Sequence, residues 1–403
     1  MWLKKYRFLL FLSFILLAPL SLFGLSFPWP KVALISIVFF MLIKSRKMYT
    51  NIFSKFILFI VFFNLVLYIF HLLNLDYSLN LRDFNVILSP LESILVISSV
   101  PLFFFKKQNL ESNFKSLSIL FFIISLIGVL EFINVLNFKA LLMKIYGERN
   151  EMWEQYFMYN IRSASVFNNS PNTFGLFSVY SFIVMLISKR FVEYNFYWFY
   201  SVIFLIILAT LLTGSITALA IMILVSLILI LNKGNIFKNI LMLTIVSIIL
   251  FFSFQSSIDS IIKRQKLDES IIPSSLKARI NNVWADSFEM IENSPIIGIG
   301  PSINSLKFGV DNEYLDKYLR FGLIGGTFFL LFICFLVIIA YKKMKLSEGI
   351  RKNLYLISFL FSLTFSLSLI TGSFFRSEKL TYLFWIIYCL PFYLDFKSKE
   401  LYE

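Results

Sequence analysis

Three arginines, one aspartate and two amides are the residues of this chain best placed for polar chemistry. Arg162 opens the stretch "RSASVFNNSPN", which closes on Asn172, and Arg279 lies in "LKARINNVW". Asp311, Asn312 and Tyr314 fall in "DNEYLDKYLRFGLIGG", with Arg320 six residues past the tyrosine. A guanidinium is a permanently charged, planar fork of donors that suits an anion, and a carboxylate beside it can take up a proton. The commonplace alternative for Asp311 and Asn312 is a turn or a helix cap, because Asx side chains bond readily to nearby backbone. For Arg279 the alternative is a plain ion pair with Asp286.

The surrounding elements are what make this polar chemistry conspicuous. The chain has 403 residues, of which 59% are hydrophobic and only 15% charged. That balance is the mark of an all-α polytopic membrane protein. Apolar runs long enough to cross the hydrocarbon predict about twelve transmembrane helices. They fall near 7–25, 30–43, 52–73, 84–105, 116–136, 165–187, 196–213, 215–231, 236–255, 320–341, 353–371 and 378–394. The chain reads as one integral membrane domain, 1–403. Short loops rich in Lys and Arg, such as "KSRKMYTNIFSK" and "YKKMKLSEGIRK", fall on one side and set it as the cytoplasm, with both termini inside. The first run reads as a retained helix, not a cleaved signal. The formal net charge of +14 follows from this bias and implies no nucleic-acid partner.

Other chemistries find little footing. Cys334 and Cys389 lie within spans and read as apolar filler. His71 has no partner at ligand spacing and reads as an interfacial residue, so no metal site is expected. Gly298-Ile-Gly300 continues as Pro-Ser-Ile and completes no dinucleotide fingerprint, and no P-loop is present. No cofactor is expected.

Two segments are predicted outside the membrane. The smaller, 137–164, mixes charge with Trp153, Tyr156, Phe157 and Tyr159, as an interfacial segment does. The larger, 255–319, carries an amphipathic helix with its apolar stripe at Leu276, Ile280, Trp284, Phe288 and Ile291. Pro295 ends that helix, and "IIGIG" lets the backbone turn sharply back toward the tenth span. On this reading Arg162, Arg279, Asp311, Asn312 and Arg320 lie near one external surface.

These motifs resemble those of the O-antigen polymerase and O-antigen ligase superfamily. "RSASVFNNSPNTFGLFSVY" is similar to its R-x-x-x-x-F-x-N-P-N pattern, and "LLTGSITAL" to its T-G-S-R hairpin. The run from Arg279 through "SPIIGIG" to "DNEYLDKYLRFGLIGG" is similar to its long external loop and re-entry. The set occurs in the family's order over residues 160–335. Four departures stand out, one of them an extra residue inside the N-P-N region, which reads Asn168-Asn-Ser-Pro-Asn172. Asp311 replaces the His of the ligase branch, Arg320 stands where an acidic residue is frequent, and Ile216 replaces the hairpin Arg. The missing His favours the polymerase branch.

The resemblance implies polymerisation of polyprenyl-diphosphate-linked oligosaccharide repeat units on the outer face of a bacterial cytoplasmic membrane. Such a donor is already activated, so neither metal nor nucleotide is required. Such a reaction needs cations for the diphosphate and a carboxylate for the hydroxyl proton. That makes Arg162, Arg279 and Arg320, with Tyr314 and Asn172, the candidates for substrate binding, and Asp311 with Asn312 the candidates for catalysis. Membrane lipid, a chain-length regulator and a flippase are the implied partners. Two other readings stay open, a ligase-type glycan transferase and a lipid-linked-oligosaccharide flippase. A flippase is expected to carry mid-span charges and a two-half repeat. Ionisable residues within the spans are few, Glu92 and Glu131 being exceptions, and no half-to-half similarity is evident.

Overall fold

A computed structural model describes residues 51–74, 90–100, 107–146, 162–167, 170–231, 279–300, 310–372 and 377–400, with Lys277 and scattered residues between 8 and 26. Helix dominates. The one strand pairing among the described residues is antiparallel, Ser21–Leu22 against Leu25–Ser26. The chain divides into two compact units, one of residues 1–30 and 106–274, the other of residues 31–105 and 275–403.

The first unit holds α3 (Lys107–Ile133), α4 (Phe138–Tyr146), α5 (Pro171–Ser188), α6 (Phe196–Leu212) and α7 (Ile216–Leu231). Helix α5 packs against α3, α6 and α7, and nearly all of its residues are buried. Its start is built locally. Ser170 accepts from the Thr173 N–H, and Pro171 takes the first turn, where its missing donor costs nothing. Gly175 lets α5 approach α7, because a methyl there would press on the Ala218 side chain. Helices α6 and α7 are joined by the tight hairpin expected of "LLTGSITAL", with Gly214 at positive φ.

The second unit holds α1 (Ile52–Asn74), α2 (Pro90–Val100), α8 (Ala285–Asn293), α9 (Glu313–Leu346), α10 (Gly349–Ser368) and α11 (Glu378–Glu400). Its core is aromatic: Phe53, Phe384, Trp385 and Tyr388 are all buried, with Phe53 against Tyr388 at 5.2 Å between ring centres. Cys389 is buried in this layer, whereas Cys334 is exposed on α9.

Four of these helices are long and apolar enough to cross a membrane: Ile52–Leu73, Leu110–Ile133, Pro171–Ser188 and Glu313–Leu346. Pro90–Val100, Phe196–Leu212 and Ile216–Ile230 are shorter apolar helices. The expected spans at 30–43 and 236–255 lie outside the described residues, as does most of that at 7–25. Of the two expected external segments, 147–161, 255–276 and 301–309 also lie outside them.

Helix α9 departs from the expected tenth span. It begins at Glu313 and takes in the polar cluster as its first turns, then breaks at Gly322, whose φ is 62° and ψ −166°. A break in a helix orphans backbone groups on both sides. Here the loop 295–300 supplies them. The Leu323 N–H donates to Pro295 O at 2.8 Å, while Ile299 N–H and Gly300 N–H donate to Leu319 O at 2.9 Å and Arg320 O at 3.0 Å. The glycines make the sharp turn expected of them, with φ of 72° at Gly298 and 88° at Gly300, and they also do more. A Cβ on Gly298 would sit 2.6 Å from the Arg320 carbonyl oxygen, and one on Gly322 would collide with the Ile296 carbonyl. Two backbones touch here, which only glycine permits.

His71 secures the same loop. It is fully buried, and its Nε2 lies 3.2 Å from Ile297 O. A carbonyl can only accept, so this contact places the proton on Nε2.

Candidate active site

The expected site residues fall into two clusters, one in each unit. In the second unit the head of α9 is fixed by a small apolar core. Val310, Leu315 and Leu319 are buried, with Trp284, Met290, Ile291 and Ile299 packed against them. Trp284 and Ile291 thus keep the predicted stripe, whereas Ile280 and Phe288 are exposed. Residues Arg279–Trp284 form a π-helical turn, which takes more residues per turn and slips Ile280 out of phase with Trp284.

That turn carries Arg279 to Asp311. Arg279 Nε donates to Asp311 Oδ2 at 3.1 Å, so Asp311 is the partner and Asp286 stands exposed elsewhere on α8. The pair faces solvent, with the arginine side chain 22% and the aspartate 55% exposed. Asn312 caps α9: its Oδ1 accepts from the Leu315 N–H at 3.1 Å. Tyr314 turns toward α10, where its hydroxyl donates to Ser366 O at 2.9 Å.

Arg320 is placed differently. It is buried, and its Nε donates to Asp316 Oδ1 at 2.8 Å. Lys317 Nζ lies 3.0 Å from Glu313 Oε1 and 3.8 Å from Asp316 Oδ2. Glu313, Asp316, Lys317 and Arg320 therefore form one ionic row along α9, with both carboxylates fully buried. Sequence reasoning had singled out Arg320 alone. The signal was present in the i, i+4 pairing of Glu313 with Lys317 and of Asp316 with Arg320.

In the first unit Arg162 bridges two motifs that are distant in sequence. Its Nε donates to Thr213 O at 2.6 Å, and Nη2 donates to Asn172 Oδ1 at 2.9 Å. Thr213 is the C-terminal cap of α6, where the helix dipole leaves partial negative charge on the last carbonyls. Asn172 lies in the first turn of α5. The "RSAS", "NSPN" and "TGS" segments thus meet around one guanidinium. The segment after Arg162 is tied to α3 and α6. Ser163 N–H donates to Leu212 O at 3.0 Å, and Ser165 Oγ donates to Ile124 O at 2.8 Å. Asn168 and Asn169 lie outside the described residues.

Chemically, each cluster pairs a guanidinium with oxygen acceptors it could exchange for an anion. Only the Arg279–Asp311 pair adds a solvent-facing carboxylate. The apolar helices identify a membrane protein. Residues 201–330 match a family model described as O-Antigen ligase, which supports membership of the chain in the O-antigen ligase/polymerase superfamily and implies a membrane glycan-processing enzyme. The match runs from α6 into α9, so it takes in Thr213, Arg279, Asp311 and Arg320, but not Arg162 or Asn172. No curated protein matches the chain.

Proposed function

We propose that this protein polymerises polyprenyl-diphosphate-linked oligosaccharide repeat units on the outer face of a bacterial cytoplasmic membrane, building O-antigen, capsule or exopolysaccharide. The observation that carries the proposal is the 3.1 Å contact between Arg279 and Asp311. It joins the cation proposed to bind diphosphate to a candidate base, with Asp311 in the place where ligases of this superfamily usually have His.

In this reaction a sugar hydroxyl of one lipid-linked unit attacks the anomeric carbon of another. The bond from that carbon to the diphosphate oxygen breaks, and polyprenyl diphosphate leaves with its electron pair. Arg279 moves from Asp311 to the diphosphate and stabilises the charge that develops. Asp311, freed of its partner, accepts the hydroxyl proton, an effect on the order of 10²–10⁴-fold. The exchange is inexpensive, because an exposed ion pair contributes only about 0–1 kcal/mol. Arg162 and Asn172 are assigned to phosphate oxygens of a lipid-linked substrate. Tyr314 and Asn312 hold the α9 head in shape.

Purified protein given synthetic polyprenyl-diphosphate repeat units is expected to lengthen them without added metal or nucleotide. In cells, Arg279→Ala and Asp311→Ala are expected to leave single-repeat surface glycan and remove the ladder of longer chains on a gel. Loss of all surface glycan, with full-length lipid-linked chains accumulating, would identify a ligase instead, the reading that the matched family's description favours.

A further inference from the structure

We infer that Glu131 is a positioning residue for Arg162, an inference that rests on the assignment of Arg162 to a phosphate oxygen. Glu131 lies near the end of α3 and is 2% exposed. A buried carboxylate is costly unless its oxygens are well supplied with donors. One oxygen of this carboxylate is. Oε2 accepts from the Ala164 N–H at 2.8 Å and the Ser165 N–H at 2.6 Å, and it lies 2.9 Å from Ser163 Oγ. The Ser163 hydroxyl has a single proton to share between this oxygen and Gly128 O, 2.8 Å away.

Consecutive backbone N–H groups converging on one anion form a nest, and a nest needs a left-handed residue. Ser165 supplies it, with φ 50°. A serine in that conformation is strained, so the carboxylate stabilises a turn the chain would otherwise avoid. The turn begins at Ala164, two residues after Arg162. Fixing it aims the arginine between the end of α6 and the start of α5, where Nε and Nη2 find Thr213 O and Asn172 Oδ1. Gly128, one turn before Glu131, permits the approach, since a methyl there would collide with the Phe174 ring of α5.

Glu131→Gln keeps the side-chain volume but removes the charge that the two N–H groups share. The test measures retention of radiolabelled polyprenyl diphosphate by the full-length protein in detergent for Glu131→Gln, Arg162→Ala and the double variant. Arg162→Ala is expected to weaken binding at least tenfold, and Glu131→Gln roughly tenfold, in line with the cost of a misplaced binding group. The double variant is expected to bind no more weakly than Arg162→Ala alone, because a residue acting through Arg162 has nothing to lose once Arg162 is gone. Ser163→Ala keeps the carboxylate and both N–H donors, so it serves where Glu131→Gln does not fold. It is expected to weaken binding about threefold, again only with Arg162 present. Effects that multiply in the double variants, or no effect of Glu131→Gln and Ser163→Ala, would overturn the inference while leaving the role of Arg162 intact. An Arg162→Ala protein that binds as the parent does would overturn both. The Arg279–Asp311 assignment is tested separately, by chain lengthening.

Discussion

Arg279 and Arg320 both pair with an aspartate, yet their surroundings give them opposite roles. Arg279 and Asp311 are exposed enough that water screens their attraction, so removing one partner is expected to change stability by less than about 1 kcal/mol. Arg320 and Asp316 are buried, and removing the arginine strands a carboxylate in the interior at a cost of about 3–5 kcal/mol. Thermal unfolding in detergent should therefore find Arg279→Ala close to the parent but inactive, and Arg320→Ala strongly destabilised. Equal melting temperatures for the two would contradict this division. Asn312 separates cap from catalyst in the same way. Asn312→Ser preserves a capping oxygen and is expected to retain polymer length, whereas Asn312→Ala loses about 1 kcal/mol of stability. Abolished chain growth in a well-folded Asn312→Ser protein would return Asn312 to the reaction itself. At this scale the types of the polar residues were legible, but their partners were not. Asp286 sits on the same short helix as the predicted stripe and looked the nearer acid for Arg279. The π turn and the packing of Val310 against Leu315 and Leu319 decide for Asp311, and neither leaves a mark in residue type.

The broken helix α9 and the loop 295–300 form a single device that positions the arginine–aspartate pair. The loop completes the hydrogen bonding that Gly322 interrupts, and His71 holds the loop at Ile297. Both glycines have positive φ and face backbone at their Cα, so a side chain there meets conformational strain and an immovable neighbour together. Gly298→Ala and Gly322→Ala are each expected to destabilise by more than about 2 kcal/mol and to reduce chain lengthening in parallel. Gly349→Ala is the contrast. Its φ is also positive, but nothing lies within 4 Å of the added methyl, so a loss of about 1 kcal/mol is expected. Similar melting shifts at all three positions would remove the close-approach argument. The cores of α1, α5, α6, α7, α10 and α11 were legible because apolar runs bounded by Pro, Gly and basic residues announce them. The start of α9 was not. Its first turns are too polar to read as part of a span, and their helical signals, the Asn312 cap and the i, i+4 ion pairs, go with burial against the loop and α10. The pairing of loop backbone with a broken helix has no residue signature beyond the glycines, which fit a turn equally well.

Each unit leaves broad apolar faces uncovered, and this is the physical basis for the membrane at the scale of the molecule. On α1, Leu58, Phe62, Val66, Ile69 and Leu73 are exposed, as are Leu330, Leu331 and Ile338 on α9 and Ile223 and Leu227 on α7. Surfaces of that kind in water would drive aggregation; in hydrocarbon they are satisfied. The segment Leu323–Leu346 rises about 36 Å at 1.5 Å per residue, against about 30 Å for the hydrocarbon core. The stretch between the Gly322 break and the basic residues Lys343 and Lys345 in the last turn is therefore long enough for a single pass. Asp311 and Ser347 lie beyond opposite ends of that segment, and in the proposed topology Lys343 and Lys345 predict that Ser347 faces the cytoplasm. This can be tested directly. With Cys334 and Cys389 replaced by alanine, Asp311→Cys is expected to react with a membrane-impermeant maleimide in intact cells once the outer layer is made permeable. Ser347→Cys is expected to react only after the cytoplasmic membrane is opened. The reverse pattern would put the arginine–aspartate pair on the side where no lipid-linked repeat is polymerised in the proposed reaction, and labelling of both from outside would mean that α9 does not cross at all.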